Sequence, residues 1–186
     1  LLLSFMVKGP ARGVFLASFG LAFFHLNAFP VVLVVVLGVA VTKGMVESRW
    51  EWWKWGAALA GIAAAWLLRP NPLGVAKLEY HQILVHEMAR HARLPLLFGR
   101  EWMPVSLSAL ASFVWPLLLW AAGSVAIVVA SGSDRFRATR DERTFMWSNL
   151  ALSVLFFAGM IVSTKRLTPL WATCAVIVPA AAFTLL

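Results

Sequence analysis

The feature that most constrains this chain of 186 residues is a series of long apolar runs separated by short charged segments. Because a helix needs about 20 apolar residues to cross roughly 30 Å of hydrocarbon, runs of this kind indicate membrane spans. Apolar residues make up 61% of the chain, charged residues only 13%, and the mean hydropathy is +0.83. Soluble domains do not have this composition. The sequence therefore predicts an all-α, polytopic transmembrane bundle that forms a single membrane domain over residues 1–186.

Five spans are predicted, with six as the alternative. Four runs are clear, at about 50–68, 104–130, 144–163 and 167–186, and the short link between the last two predicts an antiparallel hairpin. The run over 13–42 would make a helix of about 45 Å, which is longer than the bilayer core. Since Asn27 and Pro30 weaken its middle, it is predicted to be kinked or broken, as one tilted span or as a hairpin of two short segments.

The basic residues do not fix the orientation, because the Lys and Arg residues divide almost evenly between the two sides in both topologies. We favour five spans with residues 69–103 cytoplasmic. The net charge of +8 is explained by anionic lipid head groups, which attract basic residues beside membrane spans. No basic stretch carries stacking aromatic residues, so nucleic-acid binding is not predicted. Tryptophans crowd one end of the second span, as in an interfacial belt: Trp50, Trp52, Trp53 and Trp55.

Three of the four histidines, His81, His86 and His91, recur every five residues in the stretch HQILVHEMARH. On an α-helix such residues are turned about 140° from one another, so they point in three directions. A zincin motif needs its two histidines at i and i+4. The pattern instead predicts an amphipathic interfacial helix over 73–94, on the membrane surface or docked on a partner. A metal site of His86, His91 and Glu87 is the alternative, and a site shared with another subunit would use His86 with Glu79 or Glu87.

No Asp, Glu, Lys or Arg lies near the middle of an apolar run. Ion-coupled transporters and proton pumps usually need such groups, so these classes are not favoured. His25, close to Asn27, is either a ligand for a haem or chlorophyll or a hydrogen-bonded packing residue. Small polar residues at helical spacing indicate that helices pack closely on one another. These helix-packing residues are Ser108, Ser112, Asn149 and Ser153.

Two charged segments are candidate surfaces for docking a partner: the polar side of the 73–94 helix and the loop 131–144. Both carry charges of the two signs, which is usual for a solvated or docking surface. At the end of the loop, Thr139 and Glu142 have the spacing of a capping box, which predicts a helix start. The docking candidates are Glu79, His86, Arg90, Arg93, Arg135, Arg137 and Arg140.

These observations favour a non-catalytic subunit of a larger assembly in a bacterial inner membrane, for secretion, transport or energy conversion. Its predicted partners are other membrane subunits and anionic lipid, and no cofactor is predicted. One alternative is a small channel or carrier for an uncharged solute, gated by the broken first run. The other is a membrane metal- or pigment-binding protein using His25 or His81, His86 and His91. No catalytic motif is present. Because the sequence begins with Leu, it is expected to be processed or to continue upstream.

Overall fold

A computed structural model describes residues 2–24, 29–92, 104–131, 138–162 and 167–185. These residues are almost entirely helical and contain no strand, which confirms the predicted all-α class. The helices are α1 (Leu2–Val7), α2 (Ala11–Phe24), α3 (Phe29–Glu47), α4 (Trp52–Leu67), α5 (Pro72–Tyr80), a π-helical turn (His81–Val85), α6 (His86–His91), α7 (Leu107–Ala111), α8 (Val114–Ser131), α9 (Arg140–Val162) and α10 (Thr168–Leu185).

Three helices in the described part of the chain are long and apolar enough to cross a membrane: Pro30–Glu47, Val114–Ser131 and Arg140–Val162. Two shorter apolar helices, Ala11–Phe24 and Thr168–Thr184, accompany them. The protein is therefore a helical protein with three candidate spans, and the count of five stays a prediction. The chain divides into two compact units, Leu1–Gly44 with Arg49–Phe98 and Met45–Ser48 with Gly99–Leu186. The single membrane domain also stays a prediction.

In the first unit, α2 and α4 pack directly against each other and run in the same direction. At Gly61 of α4, an added Cβ atom would lie 2.5 Å from the carbonyl oxygen of Phe15. Only glycine therefore permits this close approach. Near the start of α4, Lys54 bonds to Met6, just before α2, and Arg69 beyond its end bonds to Phe23 at the end of α2. The two helices are thus aligned start to start.

Helix α3 returns towards the start of α2. The ammonium of Lys43, in its last turns, donates to the carbonyl oxygen of Val7 at 2.9 Å. Ser48 then ends the helix with φ 56°, the left-handed conformation common after helix ends. The predicted run over 13–42 thus holds two antiparallel helices, as in the hairpin alternative, and the number of times it crosses the membrane stays a prediction. Residues 25–28, which join them, lie outside the described residues.

In the second unit, α8, α9 and α10 pack with α9 antiparallel to the other two. Near one end, Trp120 of α8 lies 6.1 Å from Trp171 of α10 and 5.3 Å from Phe157 of α9, measured between ring centroids. Towards the other end, an apolar core joins all three helices. Its buried members are Ile127, Ala130, Met146, Leu150, Val178 and Ala182.

The start of α9 has the predicted capping box. The backbone N–H of Thr139 donates to the carboxylate of Glu142 at 2.7 Å, and the N–H of Glu142 donates to Oγ1 of Thr139 at 3.3 Å. Since the first N–H groups of a helix have no partner within it, this exchange satisfies two of them. The predicted helix start at Thr139 and Glu142 is confirmed.

Where the amphipathic helix is predicted over 73–94, the structure has a helix over residues 72–91 in three consecutive pieces, and its amphipathic character stays a prediction. The side chain of Asn71 caps its start by accepting from the N–H of Gly74 at 2.9 Å, and Pro72 occupies the first helical position. Both residue types favour a helix start at these positions. The helix ends at His91, and residue 93 onwards lies outside the described residues here. We call α5, the π-helical turn and α6 together the 72–91 segment.

Candidate functional site

The most distinctive polar feature of the first unit is an ionic cluster of Lys43, Glu51 and Lys54. One carboxylate oxygen of Glu51 accepts from the ammonium of Lys43 at 2.8 Å and from that of Lys54 at 2.9 Å. The two lysine side chains are only 8% and 5% exposed, and that of Glu51 is 23% exposed. Two lysines are therefore buried in the protein around a single carboxylate.

The cluster is completed by the last carbonyl groups of α1. Lys43 donates to the carbonyl oxygen of Val7 and Lys54 to that of Met6, each at 2.9 Å. The last carbonyls of a helix have no partner within it and carry its partial negative charge. Burying a charge is costly unless it is paired and hydrogen-bonded. Here both requirements are met, because each ammonium contacts the carboxylate and a helix end.

The electrostatics of the cluster keep Glu51 ionised. Burial alone would raise the pKa of Glu51, but the hydrogen bonds and positive charges of Lys43 and Lys54 outweigh it and hold the pKa below the ordinary value of 4.5. Both ammonium groups act here as hydrogen-bond donors. The chemistry of the cluster is therefore structural: it fastens α1, α3 and α4 to one another.

Aromatic rings surround the same end of the unit. The rings of Trp50 and Trp52 stack at 5.6 Å, and Trp55 lies 5.8 Å from Trp52, measured between centroids. Trp50 also covers Gly44, where an added Cβ atom would lie 2.8 Å from the indole. Trp50, Trp52 and Trp53 are exposed. Exposed indoles beside basic residues fit the predicted interfacial belt.

At the opposite end of α4, Arg69 caps α2. Its Nη2 atom donates to the carbonyl oxygens of Ala22 at 2.6 Å and Phe23 at 2.7 Å. A guanidinium at the carboxyl end of a helix satisfies free carbonyls and opposes the helix dipole. Arg69 thus joins the end of α4 to the end of α2, while Lys54 joins the start of α4 to α1.

The four predicted helix-packing residues divide into two kinds. Asn149 and Ser153 are buried in α9, and Ser153 accepts from the indole N–H of Trp120 on α8 at 2.9 Å. Asn149 donates to the carbonyl oxygen of Phe145 in its own helix at 2.8 Å. Ser108 and Ser112 are exposed and bond locally, to Oγ of Ser106 at 3.0 Å and to the carbonyl of Ala109 at 2.6 Å.

The histidine-rich stretch does not have the geometry that its α-helical interpretation assumed. His81 opens the π-helical turn, which forms i→i+5 bonds in place of i→i+4 bonds and so changes the rotation between successive residues. His81 and His91 are exposed. Within the described ranges, no three His, Cys, Asp or Glu residues are grouped so as to hold a metal ion.

Most of the other predicted site residues, or their side chains, lie outside the described part of the structure. His25, Arg93, Arg135 and Arg137 lie outside the described residues, as do the side chains of Glu79, His86, Glu87 and Arg90. Arg140 is described and exposed at the start of α9.

The ionic cluster was not predicted, because Lys43 and Lys54 have the sequence pattern of basic residues that meet lipid head groups beside apolar runs. The available signal was Glu51, which stands between them and three residues before Lys54. Comparisons with protein-family models, with curated proteins and with solved structures found no match to this chain. The function is therefore argued from the chain's own geometry.

Proposed function

We propose that this protein is a non-catalytic integral-membrane subunit of a larger assembly, in a membrane of the bacterial inner-membrane type. The observation that carries the proposal is the ionic cluster. Its buried charges join helix ends to one another, because Lys43 and Lys54 bond both to the end of α1 and to Glu51. Charges used in this way support a structural role, because transport and proton relay use ionisable groups that face a cavity or pathway.

The proposed subunit acts by helix packing within the membrane and by docking through its loops. Its partners would be other membrane subunits, held at the polar side of the 72–91 segment and at the loop 131–144. Arg140, exposed where that loop meets α9, is the docking residue best suited to a test. Anionic head groups would neutralise the remaining positive charge at the membrane surface.

The test is to isolate the tagged chain from its native membrane in a mild detergent and to measure the native mass and subunit composition of the particle. The proposal expects a large particle with partners in fixed ratio. A monomer or a small homo-oligomer would refute it.

Arg140→Glu gives a matched variant for the same purification. A negative residue at the start of a helix is favoured by the helix dipole, so the fold of α9 should be kept. Partners that dock on the loop should then be lost from the particle, while Arg49→Glu, a charge reversal at another exposed arginine, should keep them. Loss of partners in neither variant would exclude the loop 131–144 as the docking surface.

A further inference from the structure

We propose that the 72–91 segment lies in the head-group region of the bilayer, with one apolar side facing the acyl chains. That side, the apolar stripe, consists of Leu73, Tyr80, Leu84 and Met88. The inference deepens the proposed function, because it assigns lipid to one side of the segment and leaves the other side for a partner. It does not require that the partner exists.

The apolar stripe is not covered by the described part of the chain. Leu73 is 83% exposed, Met88 66%, and Tyr80 and Leu84 53% each. Their spacings of seven, four and four residues place them along one side of a helix. On a regular α-helix Met88 would lie about 60° from Leu73. The π-helical turn at His81–Val85 is wider, so it rotates Met88 back towards the line of Leu73 and straightens the stripe.

The position of the segment in the chain brings the stripe to the membrane. Helix α4, a predicted span, ends with the exposed leucines Leu67 and Leu68. Arg69 is bonded to the end of α2 immediately afterwards. Pro72 then begins the new helix, four residues beyond Leu68. Four residues extend at most about 14 Å, so the segment starts within reach of the surface where the apolar side of α4 ends.

The residues beside the stripe suit an interfacial position. Lys77 is exposed four residues after Leu73, so its alkyl stem can follow the apolar side while its ammonium reaches a lipid phosphate. Tyr80 combines an apolar ring with a polar hydroxyl, a combination favoured at membrane interfaces. A helix with these features lies in the plane of the interface with its apolar side buried. Lipid, and not protein, is therefore the occupant that the geometry favours.

The test uses the full chain, with Cys174→Ala to remove its one cysteine, in bilayers of phosphatidylcholine and phosphatidylglycerol. A nitroxide is attached at Leu84→Cys or Met88→Cys, and at Gln82→Cys as the matched control. Gln82 is two residues from both Tyr80 and Leu84, so its position is about half a turn from each. The relaxation of each nitroxide is measured with oxygen, which concentrates in lipid, and with a water-soluble nickel chelate.

The ratio compared is the relaxation enhancement by oxygen divided by the relaxation enhancement by the nickel chelate. The proposal expects this ratio to be several-fold higher at residues 84 and 88 than at residue 82. If the ratios at residues 82, 84 and 88 are equal and the nickel chelate relaxes all three nitroxides strongly, the stripe lies in water and the proposal is overturned. Low accessibility of residues 84 and 88 to both reagents would mean that protein covers the stripe, which also overturns it. Circular dichroism of each labelled variant verifies that the helices are kept. Because this experiment uses the purified chain, its outcome is independent of whether partners are found in the native particle.

Discussion

Replacing Glu51 by Gln tests the central structural claim, that one carboxylate allows two lysines to be buried. Glutamine keeps the size of the side chain, and its amide oxygen can still accept from Lys43 and Lys54. The negative charge of Glu51 is lost, so the two ammonium groups share a neutral acceptor in place of a carboxylate. Their bonds to the carbonyl oxygens of Val7 and Met6 are kept.

The expected cost follows from the two ion pairs. Hydrogen bonds to charged groups contribute about 1.5–3 kcal/mol, and neutral ones about 0.5–1.5 kcal/mol. The bonds from the two ammonium groups to the amide oxygen keep one charged partner, so the substitution should cost less than the full difference between these ranges at both lysines, about 1–2 kcal/mol in total. The bonds lie near the lower end of their range, since the Glu51 side chain is 23% exposed and exposed pairs are screened by water. Glu51→Ala, which removes the acceptor completely, should cost about 3–5 kcal/mol.

The measurement is the free energy of unfolding in detergent micelles, from a titration with sodium dodecyl sulfate followed by tryptophan fluorescence. Arg49→Gln, an exposed charge of the same turn, is the matched control and should change stability by less than about 0.5 kcal/mol. In a Lys43→Met background, Glu51→Gln should cost less, because one of its two ion pairs is already absent. Equal stability of Glu51→Gln and Arg49→Gln would show that the cluster does not stabilise the fold.

Three further predictions concern the ionic cluster and two helix contacts. Burial acts to raise the pKa of Glu51, but Lys43 and Lys54 hold it below 4.5. The stabilisation by the Glu51 carboxylate is therefore present above pH 4.5 and is lost as the pH falls through the lower pKa of the folded state. The stability of the wild type should accordingly fall more than that of Glu51→Gln when both are titrated with acid below pH 4.5. Gly61→Ala should destabilise α2 against α4 by about 1–3 kcal/mol, whereas Gly56→Ala, with nothing within 4 Å of the added carbon, should be neutral or stabilising in the same titration. Trp120→Phe should cost about 0.6 kcal/mol more in the wild type than in a Ser153→Ala background, because only the wild type loses the bond from the indole to Ser153.

The sequence predicted the helical class because apolar runs of span length leave few other structures open in a membrane. It also predicted the start of α9, where the side chains of Thr139 and Glu142 act on backbone groups three residues away. Signals of this kind are local, so they can be read without the fold. The position of Asn71 and Pro72 at the start of the 72–91 segment is explained by the same local chemistry.

The ionic cluster could not be predicted in the same way. Lys43 and Val7 are 36 residues apart, and Lys54 and Met6 are 48 apart. A lysine beside an apolar run has the same sequence pattern whether its ammonium meets a lipid phosphate or a helix carbonyl. The π-helical turn was missed for a related reason, since the spacing of His81, His86 and His91 was interpreted with the rotation of a regular α-helix.

The bonds from Lys43 and Lys54 to α1 also constrain the topology. If residues 13–42 crossed the membrane once, Val7 and Lys43 would lie on opposite sides, yet the two are joined at 2.9 Å. Lys8, which follows Val7, and Arg49, shortly after Lys43, are therefore expected on one side of the membrane. Lys77, beyond the predicted span α4, is expected on the other side.

Single cysteines at these three positions, in the Cys174→Ala chain, can be labelled with a membrane-impermeant maleimide in sealed vesicles. Residues 8 and 49 should react together, and residue 77 only after the vesicles are opened, or the reverse in vesicles of the other orientation. Labelling of residues 8 and 49 from opposite sides would contradict the antiparallel arrangement of α2 and α3.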